Sequence, residues 1–110
     1  MPGTIHLGEC KLLCDEVVKA YENGKKIAAI CAAPTVFGKL GLLNGKMVCC
    51  YPGMEDQLTG AEATTSSVTV DGNIITSRGL GTALDFALTL IEELVDKETA
   101  DKLATAVVYI

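Results

Sequence analysis

The residues with the clearest chemical potential surround one cysteine, Cys31. Residues 27–34 read Ile-Ala-Ala-Ile-Cys-Ala-Ala-Pro, in which four apolar residues predict a buried strand and the proline suits the first turn of a helix. Ala29 and Ala33 put small side chains two residues to either side of the cysteine, where a sharp strand-to-helix turn crowds its backbone. The pattern predicts a nucleophile elbow, whose backbone N–H groups and helix dipole stabilise a thiolate.

The same pattern also fits a core cysteine, because cysteine is among the most buried residue types. Cys10 and Cys14 are four residues apart on the apolar stripe of a predicted helix, which favours core packing over a metal site. Cys49 and Cys50 point to opposite faces of a predicted strand, so we expect two free thiols. Five cysteines without a paired framework indicate reduced thiols and a cytoplasmic protein.

The composition bounds the class of protein. The chain has 110 residues, of which 49% are hydrophobic and 21% charged, so it can bury a core as one domain, residues 1–110. Its net charge of −5 argues against nucleic acid and anionic membranes as partners. No apolar run approaches the roughly 20 residues of a membrane span, and no signal peptide opens the sequence.

Strands and helices alternate along the chain. Residues 1–4 are expected to form a loop, and helices are predicted from Gly8 to about Asn23, from Pro34 to Leu40, and over residues 82–95 and 97–105. Strands are predicted over residues 27–30 and 47–51, and a hairpin over residues 68–76 turns at Asp71-Gly72. Thr82 and Asp85 have the spacing of a capping box. This order predicts a layered α/β fold with a largely parallel sheet.

Four segments in order carry a resemblance to a known family. They are residues 28–35 around the cysteine, residues 48–53 ending in Tyr-Pro-Gly, residues 71–79 ending in Thr-Ser-Arg-Gly, and residues 81–88 at the start of the long helix. Together they resemble the DJ-1/ThiJ/PfpI superfamily, in particular its DJ-1 (ThiJ) group. The resemblance implies a flavodoxin-like three-layer α/β/α sandwich with a mostly parallel sheet, similar to class I glutamine amidotransferases.

The resemblance also implies a function without a metal or organic cofactor. Cys31 would be the nucleophile and the Ala32 backbone N–H an oxyanion donor, in glyoxalase or deglycase chemistry on small dicarbonyls such as methylglyoxal or on glycated proteins. The alternative is a non-enzymatic sensor of oxidative stress, or a chaperone-like protein, based on the same thiol. Family members often dimerise, so a homodimer is a further expectation.

Several positions depart from the family pattern. Members usually carry Gly-Gly-Met-Pro-Gly-Thr where this chain opens Met-Pro-Gly-Thr, so we expect a domain without its first strands, its oxyanion-binding Gly-Gly and its acid/base glutamate. This chain alone would then be weakly active or inactive. Tyr51 stands where some members have histidine, Ala32 follows the cysteine where PfpI-type peptidases have histidine, and Leu80 replaces a usual proline. The first two departures weigh against a protease or an amidotransferase, and the third predicts a less rigid turn.

The remaining polar candidates are weaker. His6 is the only histidine and falls in the predicted N-terminal loop, so we expect a solvated side chain. Glu55, Asp56 and Glu62 are expected on a solvated loop face. Arg78, the only arginine, either orients loops near the cysteine or makes a surface ion pair.

Overall fold

The computed structural model of the protein describes residues 2–109. The helices are α1 (Pro2–Glu9), α2 (Lys11–Glu22), α3 (Pro34–Lys39), α4 (Ala83–Leu94) and α5 (Lys97–Ala106). The strands are β1 (Ile27–Ile30), β2 (Met47–Val48), β3 (Glu62–Ala63), β4 (Val68–Asp71) and β5 (Ile74–Ser77). Two short 3₁₀ turns cover Glu55–Gln57 and Leu80–Thr82.

The central sheet contains three strands in the order β1-β5-β4. β1 runs parallel to β5, with Ile30 opposite Ser77, and β4 pairs with β5 as an antiparallel hairpin. β2 and β3 form a second, parallel pair. The predicted α/β class with a mostly parallel sheet and one attached hairpin is confirmed.

The core lies around β5, the middle strand of this sheet, whose four residues are all buried. Such a strand is expected to be apolar throughout, yet the second half of β5 is Thr76-Ser77. Both hydroxyls have hydrogen-bond partners. The hydrophobic core cluster consists of Ile27, Phe37, Leu43, Val48, Cys50, Leu58 and Ile74.

The N-terminal region differs from the prediction. Residues 2–4 belong to α1 rather than to a loop, which also places the exposed His6 on a helix. The single helix predicted from Gly8 is instead divided at Cys10, whose extended backbone (φ −81°, ψ 99°) interrupts the helical hydrogen bonds. Cys10 is consequently exposed, whereas Cys14 is buried and its thiol lies 3.5 Å from the Gly8 carbonyl oxygen.

The second strand ends at Val48, three residues earlier than predicted. Its continuation bonds to side chains instead of to a neighbouring strand. The Cys49 N–H donates to Thr76 Oγ1 at 3.1 Å, and the Cys50 carbonyl accepts from Arg78 Nε at 3.0 Å. The segment from Cys49 to Gly53 is therefore irregular, and its position depends on those side chains.

Two local predictions shift at the C-terminal side. Asp71 still pairs with Ile74, so the hairpin connection is Gly72-Asn73, one residue later than predicted. Thr82 is the N-cap of α4, but its hydroxyl makes no cap hydrogen bond, and Asp85 instead accepts a hydrogen bond from the Tyr109 hydroxyl. The predicted capping box is therefore wrong.

The helix α4 is mostly apolar, yet none of its residues is buried. Leu84 and Leu94 are 55% and 64% exposed. Among residues 2–109, no helix is long and apolar enough to cross a membrane.

Candidate active site at the Cys31 elbow

Cys31 has a backbone conformation that L-residues rarely adopt. Its φ is +66°, and within residues 2–109 only Val108 shares a positive φ among residues other than glycine. Such a conformation costs about 1–3 kcal/mol and persists only where the surrounding structure enforces it. It also produces the sharp turn that the sequence predicts between β1 and α3, with the thiol at the corner.

Hydrogen bonds hold both sides of the Cys31 backbone. Its N–H donates to the carbonyl of Ser77 at 3.1 Å, and its carbonyl accepts from the Tyr51 N–H at 2.7 Å. Ser77 is itself buried and fixed, because its hydroxyl donates to the Ser67 carbonyl at 2.6 Å and lies 2.7 Å from Thr82 Oγ1. Two distant segments of the chain, around Ser77 and around Tyr51, thus converge on Cys31.

The backbone N–H of Ala32 differs from those of Cys31 and Ala33 in its hydrogen bonding. The N–H groups of Cys31 and Ala33 donate to the carbonyls of Ser77 and Ile30. Within the described part of the chain, the Ala32 N–H has no such acceptor. Because the Cys31 carbonyl and the Ala32 N–H belong to one planar peptide, the hydrogen bond from Tyr51 also sets the direction of this free donor.

The five thiols are all free and differ in access. Cys14, Cys49 and Cys50 are buried, Cys31 is partly exposed and Cys10 is exposed. Burial, aided by the nearby Glu55 carboxylate, raises the pKa of the Cys50 thiol to about 11, which keeps it protonated and unreactive near neutral pH. The expectation of free thiols at Cys49 and Cys50 is confirmed.

Arg78 combines features of the two sequence interpretations, but its ion pair is partly buried rather than on the surface. It makes an ion pair with Glu55, with Nη2 2.9 Å from Oε2, and it orients the segment beside the cysteine by bonding the Cys50 carbonyl. The side chains of Arg78 and Glu55 are 19% and 33% exposed, so Glu55 is ion-paired as well as partly solvated. Asp56 and Glu62 are exposed, as expected. Sequence spacing could not reveal a pair separated by 23 residues.

An open cleft of about 820 Å³ lies next to this site, between α1, α3 and the segment from Tyr51 to Thr59. Ile5, Val36, Tyr51 and Met54 provide apolar walls, and Lys39 and Asp56 add one charge of each sign. Cys31 does not line the cleft. Within residues 2–109, no group of three or more histidine, cysteine, aspartate or glutamate side chains could hold a metal ion.

These features define a class of protein: an α/β protein with a strained, partly exposed cysteine at a strand-to-helix elbow. A family model described as the DJ-1/PfpI family matches residues 1–93. The chain therefore belongs to the DJ-1/PfpI family, and the resemblance drawn from its motifs is confirmed.

Individual relatives agree with this assignment. The chain is 45% identical over 104 residues to Protein dj-1beta of Drosophila melanogaster, covering 93% of this chain and 56% of that protein. It is 34% identical over 104 residues to the Glutathione-independent glyoxalase DJR-1.2 of Caenorhabditis elegans, covering 93% of this chain and 55% of that protein. The chain thus spans a little over half the length of these relatives.

Solved structures agree with the family assignment as well. The structure of oxidized Toxoplasma gondii DJ-1 superposes with a TM-score of 0.93 at 38% identity, over 99% of this chain and 60% of that one. The family fold is therefore present throughout the matched region.

Proposed function

We propose that Cys31 is the nucleophile of glyoxalase- or deglycase-type chemistry on small dicarbonyls such as methylglyoxal, or on their adducts with proteins. The observation that carries the proposal is the positive φ of Cys31, a strained conformation that is maintained by its hydrogen bonds to the Ser77 carbonyl and from the Tyr51 N–H. Backbone strain of this kind is typical of functional residues. The relative named as a glutathione-independent glyoxalase supports the choice of substrate class.

The first step forms a bond between Cys31 Sγ and the aldehyde carbon of methylglyoxal. The carbonyl π electrons move to oxygen, and the free Ala32 N–H donates to this oxyanion. Protonation of the oxygen completes a hemithioacetal. This step needs neither an oxidant nor a cofactor, because nucleophilic addition involves no net oxidation or reduction.

Later steps need a base that moves a proton between the two substrate carbons. The hemithioacetal C–H proton moves to the neighbouring carbon while the hydroxyl proton moves to the ketone oxygen, which gives a thioester of lactate. Hydrolysis of the thioester by water then releases lactate and the free thiol. The family resemblance assigns this proton transfer to a glutamate that precedes the segment matched here. We expect Cys31 of this chain to bind methylglyoxal in the first step.

The test compares the two accessible thiols. Per-cysteine alkylation by iodoacetamide is followed by peptide mass analysis, with and without methylglyoxal. We expect Cys31 to react faster than the exposed Cys10, and methylglyoxal to protect Cys31 in a saturable way. Equal reactivity and no protection would refute the nucleophile assignment. Lactate production that disappears in Cys31→Ser but not in Cys10→Ser would instead show that this chain is active by itself.

A second candidate function is redox sensing by the same thiol. It is favoured by the contrast in access, since Cys14, Cys49 and Cys50 are buried while Cys31 is partly exposed. A thiolate attacks peroxide to give sulfenic acid and hydroxide, and a second peroxide gives sulfinic acid. Preferential oxidation of Cys31 by mild peroxide, without protection by methylglyoxal, would favour the sensor over the enzyme. A cytoplasmic location and a homodimer stay predictions.

A further inference from the structure

We infer that Arg78 and Glu55 form a clamp that positions the peptide between Cys31 and Ala32. Both are then positioning residues for the thiol chemistry of Cys31, and the inference rests on the function proposed above. They act through Tyr51 and do not touch the reacting atoms.

The first step concerns the peptide itself. The Cys31 carbonyl points at the Tyr51 N–H, 2.7 Å away, and the Ala32 N–H leaves the opposite edge of the same plane. Rotation of this peptide would break the bond to Tyr51 and turn the Ala32 N–H away from its direction. The position of Tyr51 therefore determines where the oxyanion donor points.

The second step concerns what holds Tyr51. β2 ends at Val48, so the segment around Tyr51 has no strand pairing. Arg78 bonds this segment on both sides of Tyr51: Nε donates to the Cys50 carbonyl at 3.0 Å, and Nη2 donates to Glu55 Oε2 at 2.9 Å. The other Glu55 oxygen accepts a hydrogen bond from the Gly53 N–H at 2.8 Å, so the same carboxylate also links two residues of this loop.

The third step concerns the origin of the clamp. Arg78 directly follows Ser77, whose carbonyl accepts from the Cys31 N–H. The Arg78 N–H in turn donates to Thr82 Oγ1 at 3.2 Å, which anchors its backbone. The end of β5 thus holds the Cys31 backbone from one side directly and from the other side through the arginine.

Arginine is well suited to this role. Its planar guanidinium directs several N–H groups at fixed angles, so it can serve a carbonyl and a carboxylate at once, whereas lysine offers a single flexible ammonium. The backbone N–H groups of Glu55 and Gly53, together with Arg78, hold the pKa of Glu55 below its ordinary value. The carboxylate therefore stays ionised at neutral pH.

The experiment uses Arg78→Lys and Glu55→Gln, with Glu93→Gln as the control. Glu93 forms a similarly exposed ion pair with Lys26, near the opposite end of β1 from Cys31. The measured quantities are the alkylation rate of Cys31 relative to Cys10 between pH 6 and pH 10, approximately the range in which thiols titrate, and the hydrogen exchange of the Tyr51 amide.

We expect both clamp variants to slow the alkylation of Cys31 and to move the midpoint of its pH–rate profile upward. They should also speed the hydrogen exchange of the Tyr51 amide. A displacement of about 1 Å costs about a hundredfold in rate, and a loosened segment should cost less, about tenfold. Glu93→Gln should change none of these. Glu55 is the more exposed partner, so Glu55→Gln provides the test if Arg78→Lys does not fold.

The outcomes separate the two proposals. If Cys31 is alkylated no faster than Cys10 in the unmodified chain and methylglyoxal does not protect it, the proposed function fails, and the hydrogen exchange of the Tyr51 amide alone then decides whether the clamp exists. If Cys31 is fast but its pH profile is unchanged in both variants, the positioning role is overturned, even when melting temperatures fall. An equal change in Glu93→Gln would also overturn it, because the effect would then be general.

Discussion

The elbow region and the C-terminal helix pair are organised by different forces. Around Cys31, long-range hydrogen bonds that involve Ser77, Tyr51 and Arg78 fix an irregular backbone next to fully buried side chains. In α4, by contrast, no side chain is buried, and α5 carries exposed pairs such as Lys97 with Asp101. Helix α4 packs mainly against α5, with fewer contacts to β4 and β5.

This difference shows where a strained backbone conformation can be maintained. A residue with positive φ at a corner needs neighbours that do not yield, and the buried side supplies them. Exposed i,i+4 ion pairs such as those of α5 contribute only about 0.3–0.5 kcal/mol each. The other residue with positive φ, the exposed Val108, follows the end of α5, where left-handed conformations are common. We expect substitutions at the elbow to be costly and those on α4 to be tolerated.

The largest contrast is expected between two leucines. Leu43 is fully buried, so Leu43→Ala should lower the free energy of unfolding by about 2–5 kcal/mol through lost contacts and a cavity. Leu94 is 64% exposed, and Leu94→Ala should change stability by no more than about 0.5 kcal/mol. Urea denaturation measures both. Similar losses at the two positions would mean that α4 is buried in solution.

A smaller effect is expected where α3 meets the following loop. A Cβ at Gly38 would lie 2.5 Å from the Gln57 carbonyl oxygen and 3.0 Å from the Thr59 nitrogen, so Gly38→Ala should cost about 1–3 kcal/mol. Gly81→Ala is the matched control, because a Cβ there meets nothing within 4 Å. Unchanged stability in Gly38→Ala would show that the loop can move away from α3.

The strain at Cys31 predicts an unusual order of stabilities. A left-handed conformation costs an L-residue about 1–2 kcal/mol, whereas glycine adopts it freely. Cys31→Gly should therefore be at least as stable as Cys31→Ala, by up to about 1 kcal/mol, although glycine usually destabilises. At Ala32, where φ is not positive, Ala32→Gly should destabilise. Thermal melting that ranks Cys31→Ala above Cys31→Gly would argue against the strained elbow.

The smallest effect concerns pH and the start of α5. The Asp96 carboxylate accepts from the Thr99 N–H at 2.7 Å, and this bond lowers the pKa of Asp96 from its ordinary value of 3.8. A lowered folded pKa gives stability that is present above the unfolded pKa and lost as pH falls through the folded one. The Thr99 amide shift should report this loss below about pH 4. Asp96→Asn retains a capping oxygen and should abolish the titration; a titration unchanged in Asp96→Asn would contradict the assignment.

Local patterns predicted much of the fold because their physical cause is local. Four apolar residues before Cys31 and the proline three residues after it predicted β1 and α3 to within one residue. The single-helix prediction across Cys10 failed because helical periodicity does not register one extended residue. The strand predicted over residues 47–51 failed at Cys49, since a side chain of β5 replaced the strand partner that the apolar run implied.

By itself, the sequence determined the family, the α/β class and the cysteine at the elbow, because strand and helix periods and small residues at a turn act over a few positions. Only the tertiary structure decided that Arg78 pairs with Glu55, that Tyr51 holds the Cys31 carbonyl, and that the Ala32 N–H is left free. These contacts join residues about twenty or more positions apart, and their partners are chosen by the packing of β1, β5 and the segment after β2.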